Sequence, residues 1–104
     1  MSTTTLAGHE YHVNEEGFLT VPAEWSEALG SALAARIGIT MTDAHWAVIR
    51  FLRGDFAETG ETATLRRVAT RGGVPVKELF ALFPQKPAKK MAYIAGLPKP
   101  HGCV

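Results

Sequence analysis

Between Thr5 and Leu19 the apolar positions Leu6, Tyr11, Val13 and Phe18 come in short runs, broken by Ala7-Gly8 and by Asn14-Glu15-Glu16-Gly17. Strand-length runs separated by such turn residues predict two or three short strands, a small hairpin or meander. The period then changes. Trp25, Leu29, Leu33 and Ile37 recur at every fourth residue, with Pro22 near the start and Gly38 at the exit, which predicts a first helix. Thr42 suits the N-cap of a second helix that carries Trp46, Ile49, Leu52, Arg53 and Phe56 on one side and ends at Gly60. A third, shorter helix is expected to be capped by Thr62, to turn Leu65, Val68 and Ala69 inward, and to stop at Gly72-Gly73. Pro75 fits the first turn of a fourth, with Val76, Leu79, Phe80 and Phe83 inward and Pro84 as its stop. Pro87 opens a last short helix running through Ile94. After it, prolines 98 and 100 and glycines 96 and 102 preclude regular structure, so residues 96–104 are expected to form a flexible arm on a domain of residues 1–95. Because that arm contains only one large aliphatic residue, Leu97, before its last residue Val104, truncation after Gly96 is expected to change stability little.

A chain of 104 residues, 46% hydrophobic and 20% charged, has the composition of one globular domain rather than a disordered segment or a coiled coil. No apolar run approaches the roughly 20 residues needed to span a bilayer, and Met1-Ser2-Thr3-Thr4-Thr5 lacks the basic-then-apolar order of a signal peptide. A cytoplasmic location is expected. The single cysteine, Cys103, excludes an intrachain disulfide and any multi-cysteine zinc site. A net charge of +1 conceals a division: residues 1–61 carry three Lys/Arg against nine Asp/Glu, a balance of −6, and residues 62–104 carry eight against one, a balance of +7. The second half therefore favours an acidic partner surface or a nucleic acid.

Cys103 is the one strong nucleophile, next to the last residue on a segment of little apolar content. Lys99 and His101 favour its thiolate and the terminal carboxylate opposes it. With no second cysteine to resolve it, the sulfur can act only by exchange with another molecule; the alternative is an inert tail cysteine. His9, His12, His45 and His101 have no partners at ligand spacing, so no metal and no cofactor are expected, and His45 reads as a helix-terminus or surface residue. Residues 65–80 have a helix, glycine turn, helix layout in which Arg66, Arg67, Arg71 and Lys77 form a basic docking or nucleic-acid surface. The second of these helices offers few base-reading side chains, so a helix-turn-helix regulator is a rival reading.

The carboxyl end, Pro87-Ala88-Lys89 followed by Ile94-Ala95-Gly96-Leu97-Pro98-Lys99-Pro100-His101-Gly102-Cys103-Val104, resembles that of the DsrC/TusE family of sulfur-relay proteins. Glu15-Glu16-Gly17-Phe18-Leu19, Trp25, His45-Trp46, Phe51-Leu52-Arg53 and Leu82-Phe83-Pro84 resemble further landmarks of that family in the same order. The resemblance implies an α+β, mainly helical fold: a small amino-terminal β-hairpin on an orthogonal, partly winged-helix-like bundle, with a mobile arm bearing the reactive cysteine. It also implies a sulfurtransferase role in which Cys103 holds a persulfide. Sulfur would come from a TusBCD-like donor complex and pass to a tRNA thiouridylase-like acceptor making 2-thiouridine. Pro98 and Pro100 would restrict the arm, Gly102 would let it pass a narrow opening, and Lys99 and His101 would meet the partner. Members serving dissimilatory sulfite reductase have a second cysteine where this chain has Ala92, so two-cysteine trisulfide chemistry is closed to it. The stretch from Arg71 to Lys77 is shorter than in familiar members, and Lys86 stands where they usually have glycine. An accessory role on a sulfite reductase-type complex is the alternative within the family.

Overall fold

The computed structural model of the chain describes residues 2–6 and 8–100. Strands β1 (Ser2–Leu6) and β2 (His9–Val13) pair antiparallel in the register Ser2 to Val13 through Leu6 to His9, with Gly8 at φ +80° in the turn. A bridge from Val13 to Leu19 supplies the hint of a third strand. Tyr11 and Val13 alternate inward and pack with Leu19, Leu29 and Leu33. A 3₁₀ turn (Pro22–Glu24) follows, then helices α1 (Glu27–Arg36), α2 (Asp43–Thr59), α3 (Leu65–Arg71), α4 (Val76–Leu82) and α5 (Pro87–Ile94). The architecture is mainly helical with a small amino-terminal hairpin, as the pattern predicts. Glu24 ties the 3₁₀ turn to β2: its carboxylate accepts the His12 backbone N–H at 3.0 Å and meets His12 Nδ1 at 2.9 Å, and these bonds hold its carboxyl below the ordinary carboxylate range.

Two helix starts and the inward face of one helix differ from the sequence expectation. Trp25 precedes α1 instead of opening it, because Ser26 takes the N-cap and its hydroxyl accepts the Leu29 N–H at 3.2 Å. The cap of α3 is Thr64, whose hydroxyl accepts the Arg67 N–H at 3.2 Å, and Thr62 is engaged elsewhere. On α4, Leu79 is buried, whereas Val76 and Phe80, expected inward, are 42% and 47% exposed. The α2 cap is as expected and adds a role for His45. Nδ1 of this buried ring accepts the Thr42 backbone N–H at 3.1 Å and meets the Thr42 hydroxyl at 2.7 Å, while Nε2 donates to the Leu82 carbonyl at 2.8 Å. It is a helix-terminus residue that clasps α2 to the end of α4, not a surface one.

The core gathers around α5, which packs on α1, α2 and α4. Ile49, Leu52, Val68, Leu79, Phe83, Met91 and Ile94 are fully buried, and Leu97 joins them at 1% exposed. Packing therefore continues past the boundary expected at residue 95. The chain enters α5 through Gln85 and Lys86, both left-handed at φ 58° and 49°, a backbone that costs a non-glycine residue about 1 kcal/mol.

Candidate functional site

The site begins where α5 ends, because the chain leaving that helix leads to Cys103. Gly96 adopts φ +69° and closes α5 with a paired cap, its own N–H donating to the Tyr93 carbonyl at 3.3 Å and the Leu97 N–H to the Ala92 carbonyl at 3.1 Å. Leu97 then folds back into the core. A side chain at Gly96 would place its Cβ 2.5 Å from Trp25 Cδ1, so both the conformation and the close approach demand glycine.

Two remote side chains satisfy the last carbonyls of α5. Trp25 Nε1 donates to the Ile94 carbonyl at 2.8 Å, and Arg53 Nη1 to that of Ala95 at 2.6 Å. Arg53 also donates through Nη2 to the Pro22 carbonyl at 3.0 Å and lies 4.3 Å above the Trp25 ring. Desolvation lowers its pKa from the ordinary guanidinium value. The 3₁₀ turn, α2 and the end of α5 are thus locked together at one point, and the direction in which the chain departs is fixed there.

Beyond it, the Thr62 hydroxyl donates to the Pro98 carbonyl at 2.7 Å, Pro100 is buried beside the 60–62 connection, and Lys99 Nζ lies 3.2 Å from Glu16 Oε2. Of the stretch expected as an arm, residues 96–100 are therefore packed against the domain. His101, Gly102 and Cys103 lie outside the described residues.

The expected basic surface divides. Arg66, Arg67 and Arg71 line one groove of about 490 Å³ between the end of α2 and α3, and Lys77 on α4 is not part of it. Arg67 is not a free cation: its Nε lies 2.9 and 3.0 Å from the two carboxylate oxygens of the buried Asp55, and its Nη2 2.9 Å from one of them. The helix-turn-helix layout is present as α3 and α4, but α4 shows Val76 and Phe80 to solvent beside Lys77 and Glu78. Among the described residues no three His, Cys, Asp or Glu side chains are grouped to hold a metal ion, and no helix is long and apolar enough to cross a membrane. The sequence placed Trp25 and Arg53 on helix faces and among the family landmarks and Thr62 at a helix cap, but gave none of the three its part in holding the end of α5 and the segment after it. The signal for the first two was Gly96 itself, a helix-ending glycine whose freed carbonyls need donors.

The fold is a small helical domain with an amino-terminal hairpin, its last helix capped by Trp25 and Arg53 from distant parts of the chain. The chain belongs to the DsrC-like family, whose model, described as DsrC like protein, matches residues 5–104. It is similar to Sulfurtransferase TusE of Sodalis glossinidius (strain morsitans), at 38% identity over 93% of this chain and 96% of that one. Two solved structures share the fold. The oxidized gamma-subunit of the dissimilatory sulfite reductase (DsrC) from Archaeoglobus fulgidus is 36% identical with a TM-score of 0.79, covering 99% of this chain and 100% of that one. Allochromatium vinosum DsrC is 32% identical with a TM-score of 0.82, covering 98% and 97%.

Proposed function

We propose that this protein is a sulfur carrier that holds sulfane sulfur on Cys103 and relays it between partner proteins. The thiolate of Cys103 attacks the outer sulfur of a donor persulfide, R–S–SH. The donor S–S bond breaks, R–S⁻ leaves, and Cys103 becomes a persulfide. An acceptor thiolate then attacks that outer sulfur and Cys103 departs as thiolate, so no external oxidant or reductant is consumed. What supports the reading is the capped end of α5: Trp25, Arg53 and Gly96 fix the direction of the segment that follows that helix, and Cys103, the only cysteine of the sequence, lies seven residues after Gly96. Pro98 and Pro100 lower the cost of ordering the last residues in a partner's site. Lys99, which pairs with Glu16 in the isolated chain, would exchange that partner for an acidic group on docking.

The favoured relay is toward tRNA 2-thiouridine, with a TusBCD-like donor and a thiouridylase-like acceptor. The supports are the likeness to a protein named Sulfurtransferase TusE and the alanine at position 92. The likeness to DsrC, gamma-subunit of a dissimilatory sulfite reductase, supports accessory binding to such a complex as the second reading. Incubation with glutathione persulfide should add about 32 Da to the tail peptide, one sulfur, and Cys103→Ser should gain none. A wild-type chain that stays unmodified would remove the carrier reading.

A further inference from the structure

The groove between the end of α2 and α3 is a charged surface that sulfur exchange at Cys103 does not itself use. Its three arginines are not equivalent. Arg67 is neutralised and fixed by the buried carboxylate of Asp55, whereas Arg66 and Arg71 are exposed and form no ion pair among the described residues. Two free guanidinium groups, each able to grip a carboxylate through two parallel hydrogen bonds, therefore project from α3 on either side of an immobilised third.

Glu61 also lines the groove, so a long polyanion laid along it would meet a like charge. Nucleic-acid backbones gain affinity by neutralising many phosphates, and only two free cations are offered here. A short ligand with two carboxylates matches this arrangement better. The groove is also placed for the relay. Thr62 lines it and, through its hydroxyl, holds the Pro98 carbonyl at 2.7 Å, so an occupant would sit beside the root of the segment that bears Cys103.

We infer that the Arg66–Arg71 groove docks a short acidic segment, paired Asp or Glu carboxylates, of a protein that exchanges sulfur with Cys103. The inference rests on the carrier reading and deepens it by naming the partner's chemistry.

The test titrates the full ¹⁵N-labelled chain with hexaglutamate and, separately at equal ionic strength, with a twelve-nucleotide single-stranded RNA. Hexaglutamate should shift amides of residues 61–71. Binding should weaken roughly tenfold in Arg66→Glu/Arg71→Glu, and in Arg66→Gln/Arg71→Gln should the reversal disturb folding, but not in Arg36→Glu on α1. Shifts scattered over the surface, binding that survives both double variants, or tighter RNA binding in the groove would overturn the inference. Loading by glutathione persulfide is measured on the same samples. Unchanged loading in the double variants separates docking from chemistry, and failure of the wild type to load would defeat the carrier reading while the titration still decides what the groove binds.

Discussion

Arg53 occupies one more position on an amphipathic helix, yet its guanidinium donates to the carbonyls of Ala95 and Pro22 and stacks on Trp25. A planar fork can bridge two carbonyls from different elements; an ammonium on a flexible stem cannot reach both while covering a ring. Arg53→Lys should therefore lower stability by about 1–3 kcal/mol in urea unfolding, and Arg53→Met, which keeps the aliphatic stem but leaves both carbonyls without their donor, by at least as much. Variants within about 0.5 kcal/mol of wild type would mean that water replaces these bonds at no cost. The identity of Arg53 was visible in the sequence and its task was not, since both carbonyls belong to residues distant in the chain. Gly96 was more legible: a glycine after a helical run implies a left-handed cap, although the ring of Trp25 against it could be seen only in three dimensions.

Among the elements, α3 shows where one-dimensional reading stops. Thr62 and Thr64 are both competent caps two residues apart, and apolar periodicity does not choose between them. The fold assigns the helix cap to Thr64 and the grip on Pro98 to Thr62. Thr64→Ala should cost about 1 kcal/mol through loss of the cap. Thr62→Ala should leave α3 amide protection intact and instead perturb the amide resonances of Leu97 and Lys99. Loss of α3 protection in Thr62→Ala would restore Thr62 as the cap. The start of α5 at Pro87 and its end at Ile94 were legible because proline and glycine punctuate them. Trp25 was drawn into the first helix because a residue just before the N-cap packs on the same side as the next turn; its ring lies over Gly30, where a Cβ would fall 3.0 Å away. On α4, seven residues hold too few turns for the pattern to say which apolar side chains face inward, and Val76 and Phe80 face solvent.

For the whole molecule, the division into an acidic and a basic half was legible, but folding interleaves the halves. Glu16 meets Lys99 and Lys89, and Asp55 meets Arg67, so part of the basic half is neutralised within the chain. The limit of the packed domain is likewise a property of the assembled core. Leu97 is a lone aliphatic residue in a Pro- and Gly-rich stretch, which reads as an arm until α5 and its cap return it to the interior. Two truncations test this placement together. A chain ending at Gly96 loses Leu97, the Thr62–Pro98 bond and buried Pro100, and should lose about 2–5 kcal/mol, enough to lower the melting temperature by roughly 10 °C or more. A chain ending at Pro100 keeps all three and should melt within about 3 °C of wild type while taking up no sulfur, its only cysteine gone. Equal melting temperatures for the two truncations would show that Leu97 contributes nothing to the core and would return the domain limit to residue 95. A large loss in the chain ending at Pro100 would show that the last four residues stabilise the domain, against a role as a free carrier end.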